Sequence, residues 1–146
     1  MNYSEATYEE ISKHVESLLE INSDNLDMEA IKNQKIFVEI NNIYVQLGRK
    51  LFKETTQKDK VEHARYRHYN GKMPAEHYKK NPLNEAVLKG DIKHMMNIDD
   101  VVVEIRSMVA ETERIVKFLE DAKTQIKSRG FDIKNAIAWR QLMMGA

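Results

Sequence analysis

The densest run of side chains able to do chemistry lies between residues 58 and 80. Seven cations (Lys58, Lys60, Arg65, Arg67, Lys72, Lys79, Lys80) stand there against three acids (Asp59, Glu62, Glu76). Three histidines and three tyrosines are interleaved with them: His63, His68, His77, Tyr66, Tyr69 and Tyr78. Lysine and arginine neutralise a polyphosphate backbone and release its counterions. Aromatic faces stack on unpaired bases without regard to base identity. A stretch holding both is suited to nonspecific binding of single-stranded nucleic acid. The candidate contact residues are Lys58, Lys60, His63, Arg65, Tyr66, Arg67, His68, Tyr69 and Lys72. The plain alternative is a solvated helix end running into a loop, the usual meaning of a charged run.

Other chemistry finds little support. The five glycines are scattered, so no phosphate-cradling loop appears. His63 and His68 are five apart, a poor fit to one helix face, and no pair of histidines has the helical spacing of a metal grip. Without cysteine there is no thiolate nucleophile, disulfide framework or zinc–cysteine site. Acidic pairs such as Glu9/Glu10, Asp99/Asp100 and Glu111/Glu113 read as solvated faces and helix starts. No catalytic residue, metal site or cofactor is expected, and the enzyme class is set aside.

The elements that must position the basic stretch are helices, because only two prolines (Pro74, Pro82) interrupt 146 residues rich in helix formers. A first helix is expected over about 4–20, capped by Ser4, with Glu9 and Glu10 in its early turns. A long second helix starts after Asn22–Asn25. Its seam, Leu26, Ala30, Phe37, Ile40, Tyr44, Leu47 and Leu51, steps by threes and fours, widened by Ile36, Ile43 and Phe52. Beyond Phe52 the same positions become Glu54, Lys58, Val61, Arg65 and His68. The period persists while the stripe turns cationic, and helix continues to about Tyr69, before Asn70-Gly71. Val61, Arg65, His68 and Tyr69 fall on one face; Lys60 and Arg67 align on another with His63 near them. Residues 70–82 are expected to be a mobile binding loop. A short helix over about 82–89 is expected to end at Gly90, followed by a connector from Asp91 to Asn97.

The strongest apolar pattern runs from Ile98 to Ser128, with a left-handed stop expected at Gly130. The tail after it carries Phe131, Ile133, Ile137, Trp139, Leu142, Met143 and Met144, too many apolar groups for a free short helix. It should dock on its own chain or on a second copy, and the second copy is preferred. Leu119, Ile126, Phe131, Ile133, Ile137, Trp139 and Leu142 are the expected assembly residues. The fold class is therefore all-α: long helices with coiled-coil-like seams, completing their core by homo-oligomerisation through the C-terminal helices. The chain reads as one helical subunit, with an acidic helix over 1–22, a long helix and basic-aromatic stretch over 23–80, and assembly helices over 81–146.

Formal charge is zero, but it is unevenly spread: net −7 over residues 1–30, +3 over 31–52, +4 over 53–80 and zero over 81–146. That asymmetry, and not the total, favours a polyanion partner. No apolar run approaches the ~20 residues that span a bilayer, and the acidic start lacks the layout of a signal peptide. A reducing, intracellular setting is expected.

Ile126-Lys127-Ser128-Arg129-Gly130-Phe131, followed by Ile133-Lys134, resembles the C-terminal end of the UvsY-like recombination mediators of T-even-type bacteriophages. Ala64, Arg65, Tyr69, Gly71, Tyr78 and Lys79 are similar to the DNA-binding region of that family, and the likeness extends more weakly from about residue 20 to the end. The resemblance implies a non-enzymatic mediator that binds single-stranded DNA as a ring-like homo-oligomer, a hexamer or heptamer. Its implied partners are a UvsX-like recombinase and the single-stranded-DNA-binding protein, and its place of action is the cytoplasm of the infected bacterial host. In the family a Lys-Ala-Arg triplet carries much of the DNA contact. Here the triplet is His63-Ala64-Arg65, so a permanent cation is replaced by a group mostly neutral near pH 7, and Lys60 or Arg67 would compensate. The alternative is an oligomeric coiled-coil adaptor with no nucleic-acid role. A double-strand repressor would need a short helix-turn-helix unit, which the pattern lacks.

Overall fold

The computed structural model describes residues 1–83 and 86–145. They form an all-α chain: α1 (Tyr8–Leu19), α2 (Leu26–Tyr69), α3 (Ala75–Lys80), a 3-10 turn (Lys89–Asp91), α4 (Ile92–Ile98) and α5 (Asp100–Met143). No strand occurs among the described residues, and none of their helices is long and apolar enough to cross a membrane.

Local chemistry sets the helix ends. α1 begins three residues later than expected, because Thr7 and not Ser4 is its cap. The Thr7 hydroxyl accepts from the Glu10 amide at 3.2 Å while the Glu10 carboxylate accepts from the Thr7 amide at 3.0 Å. This reciprocal pair satisfies two otherwise orphaned donors, whereas the Ser4 hydroxyl donates to Asn2 Oδ1 at 2.7 Å. α2 ends as its sequence suggests. Gly71 takes φ +71°, the Lys72 amide reaches the Arg67 carbonyl at 3.0 Å, and the Gly71 amide reaches that of His68 at 3.3 Å. These are the two bonds of a Schellman stop.

Four expectations are corrected. The 70–82 segment is not one loop: it contains α3, held down by side chains described below. No helix occupies 82–89 among the described residues, though part of that expectation, Asn84 and Glu85, lies outside them; Gly90 sits within the 3-10 turn. The Asp91–Asn97 connector is largely the helix α4, which buries Ile92. Gly130 does not stop α5. The helix continues to Met143, and the left-handed glycine is Gly145, at φ +73°. A glycine inside a helix costs roughly 1 kcal/mol relative to alanine. Here it serves close packing, since a Cβ at residue 130 would lie 3.2 Å from Asn33 Nδ2 on α2.

Two compact units emerge: residues 1–50 with 112–146, and residues 51–111. α2 and α5 each supply residues to both. The first unit has an aliphatic core of Ile11 and Val15 from α1, Ile36, Ile40, Ile43 and Leu47 from α2, and Ile115, Leu119, Ala122 and Ile126 from α5. The inward seam of α2 is thus turned slightly from the one read in sequence: Ile36 and Ile43 are central, while Phe37 is 41% exposed. Each fully buried aliphatic chain contributes about 1.5–3 kcal/mol.

Arg129 closes the far end of this core. Only 4% exposed, its guanidinium donates to the Leu19 carbonyl (3.3 Å), the Glu20 carbonyl (3.2 Å), the Glu29 carbonyl (2.8 Å), the Asn33 side chain and the Glu29 carboxylate. The five donors of a guanidinium here meet five acceptors, spread over the end of α1, the Glu20 that follows it and the start of α2. The Arg129-Gly130 pair in the C-terminal hexapeptide therefore has a packing role: arginine ties α5 to its neighbours and glycine leaves room for the Asn33 side chain.

Candidate nucleic-acid interface

The second unit contains the basic-aromatic stretch, and one helix divides it into two faces. Residues 65, 68 and 69 point inward. Arg65 Nε and Nη2 grip Asp99 Oδ2 at 2.9 and 2.7 Å, and the Tyr69 hydroxyl donates to the same oxygen at 2.5 Å. Asp99 Oδ1 accepts from the Val101 and Val102 amides at 3.0 and 3.1 Å. One carboxylate thus caps α5 and anchors α2. Burial pushes the Asp99 carboxyl up, but the Tyr69 hydroxyl, the Val102 amide and the Arg65 guanidinium outweigh it and hold it below the usual carboxylate value. Burial is also the main reason that the Tyr69 phenol is raised.

His68, 5% exposed, is the latch for α3. Its Nδ1 lies 2.7 Å from His77 Nε2, a hydrogen bond that needs at least one neutral ring. The Tyr78 ring stacks on His68 at 5.5 Å between centroids, and its hydroxyl donates to the His68 carbonyl at 2.8 Å. Burial first, then the Arg65 charge, lowers the His68 pKa below its ordinary value. Neighbouring Glu62, half-buried, accepts from Arg106 Nε at 2.7 Å, and Arg106 Nη1 reaches Asn97 at 2.8 Å.

The opposite face is open. Lys60, His63, Tyr66 and Arg67 are exposed on α2, and Lys72 is exposed just beyond its end. Arg67 Nη2 donates to the Lys72 carbonyl at 3.0 Å, which steadies the loop while the side chain stays in solvent. Lys58 is half-buried on the flank, and Lys79 and Lys80 are exposed on α3. Of the nine residues proposed from sequence, five therefore share the open side with exposed cationic or aromatic groups (Lys60, His63, Tyr66, Arg67, Lys72), while Arg65, His68 and Tyr69 belong to the internal cluster. Sequence reading missed Asp99 and His77 as organisers of this unit. The signal for Asp99 was its place as an acidic residue just before an apolar helix; none existed for the His68–His77 contact. No group of three histidine or acidic ligands suited to a metal ion occurs among the described residues.

The expected assembly residues also divide. Leu119, Ile126 and Ile133 are 0%, 8% and 1% exposed within the chain's own fold. Phe131, Trp139 and Leu142 remain 63–65% exposed, with Ile137 half-buried beside them.

Crystal structures of the bacteriophage T4 recombination mediator protein UvsY have the same fold. One lattice form superposes with a TM-score of 0.83 at 21% identity, over 93% of this chain and 96% of that one. Another gives 0.79 at 21% identity, over 94% and 99%. No curated protein matches the sequence. The family described as "Recombination, repair and ssDNA binding protein UvsY" matches residues 14–146. With nearly its whole length matched, the chain belongs to the UvsY family.

Proposed function

We propose that this protein is a non-enzymatic recombination mediator that binds single-stranded DNA nonspecifically as a homo-oligomer. It helps to load a recombinase onto strand covered by single-stranded-DNA-binding protein, in the cytoplasm of the infected bacterial host. The observation that carries the reading is the open face of α2, where Lys60, His63, Tyr66 and Arg67 stand in solvent with Lys72 beyond them. Cations there meet phosphates, and Tyr66, 46% exposed, can meet a base. Arg65 acts mainly as a positioning residue, since Asp99 and Tyr69 occupy its guanidinium.

One such face is a modest binding site. Linking several multiplies effective concentration, and linked sites in general gain ~10²–10⁴ in affinity. The exposed Phe131, Trp139 and Leu142, with Ile137, supply the apolar surface that would gather copies, as a hexamer or heptamer. A strand wrapped over repeated faces is held without being read and can pass to the recombinase.

The test is oligo-dT binding across salt concentrations. Lys60→Ala/Arg67→Ala should weaken binding and reduce the salt slope by about one unit per lost phosphate contact. A double variant with the parent's affinity and slope would overturn the site. The adaptor alternative rests on the same exposed tail; it predicts the same assembly with no salt-sensitive DNA affinity.

A further inference from the structure

Phe52 exposes 75% of its surface, more than any other aromatic side chain among the described residues. It lies on α2, within the second unit, and the core of that unit makes no use of it. Thr56, Lys60, His63 and Arg67 follow it by steps of four, four, three and four residues. On a helix this spacing keeps all five on one side, and all five are exposed. Lys53 is exposed at the edge of that face, and Asp59 is the acid that shares it. Glu62 lies on the flank, turned toward Arg106 at 2.7 Å. Tyr66, the other exposed aromatic here, is fourteen residues on, roughly 21 Å along the axis.

Resting on the nucleic-acid reading of this face, we propose that Phe52 is a base-stacking platform for single-stranded DNA, extending the contact track of α2 toward its N-terminal side beyond Lys58. The occupant follows from charge. An apolar partner laid over Phe52 and the turns that follow it would also cover Lys53, Asp59 and Lys60 and strip them of water without compensation. A polyanion with unpaired bases satisfies both kinds of group: phosphates on Lys53, Lys60 and Arg67, and a base on the phenyl ring. Stacking needs a flat π face and no hydrogen bond, so phenylalanine suffices and sequence preference is weak.

The test compares the full-length protein with Phe52→Ala, Phe52→Leu and Phe52→Tyr by fluorescence anisotropy, on oligo-dT and on the same strand made abasic. Phe52→Ala and Phe52→Leu should each weaken oligo-dT binding about tenfold or more, with the salt slope unchanged. Phe52→Tyr should bind like the parent, and all four proteins should bind the abasic strand alike. Parental affinity in Phe52→Ala or Phe52→Leu would overturn the proposal, as would a Phe52→Ala that sediments as a different oligomer. Lys60→Ala/Arg67→Ala separates the two readings. A slope it leaves intact sinks the cationic face itself; a reduced slope alongside an inert Phe52→Ala sinks only the stacking.

Discussion

Arg65 and Arg67 stand two residues apart on one helix and have opposite fates. Arg65 turns inward to Asp99 and Tyr69, with its side chain 25% exposed. Arg67 turns outward with one bond to a loop carbonyl. Arg129, in the other unit, goes further than Arg65, with five internal hydrogen bonds and almost no exposure. A cation in a basic stretch therefore says little about polyanion binding until its partners are known. A guanidinium already committed to a carboxylate has little left to offer a phosphate, whereas one in solvent gives up only water and counterions.

The largest effect should come from Arg129→Ala, which leaves the Glu29 carboxylate without its guanidinium and orphans carbonyls on two neighbouring segments. It should lower Tm by ~10 °C or more, measured by circular dichroism. A variant that melts like the parent would end the account of Arg129 as a tie. Next, Arg65→Ala should cost about 1–3 kcal/mol in stability, read from urea denaturation. Its loss of DNA affinity should come without the clear fall in salt slope given by Lys60→Ala/Arg67→Ala; an equal fall would return Arg65 to the contact face.

Acid should act on the inner face. His68 has its folded pKa lowered from 6.5. Below about 6.5 the unfolded chain takes up a proton that the folded chain refuses, so stability is lost as pH falls through that window. Asp99, also lowered, from 3.8, holds its contribution above that value and loses it as pH falls further. Denaturation midpoints should therefore drop between pH 7 and 5, and His68→Gln should flatten the drop. An equally steep drop in His68→Gln would remove His68 as its source. The smallest effect should be that of Gly130→Ala. Helix propensity favours alanine by about 1 kcal/mol, while the 3.2 Å approach of Asn33 Nδ2 opposes it. A change within about 1 kcal/mol is expected by denaturation; a collapse of the fold would show that the contact is far less tolerant.

Much of this molecule was legible in its residues. The threes and fours of α2 and α5, the scarcity of proline, and the Asn70-Gly71 stop dictate long helices whatever they pack against, because period and backbone chemistry are local properties. The separation of Lys60, His63 and Arg67 from Arg65, His68 and Tyr69 followed from helical spacing as well. Spacing alone could not say which of those faces meets water. Only packing decided that, by placing Asp99, thirty-four residues from Arg65, beneath one face and leaving the other exposed among the described residues. Likewise Gly130 looked like a stop because glycine permits one. It became helix because Arg129 and Ile133 beside it gain more from burial on α5 than a left-handed turn would return. Local sequence determines which conformations are available; contacts between distant residues select among them.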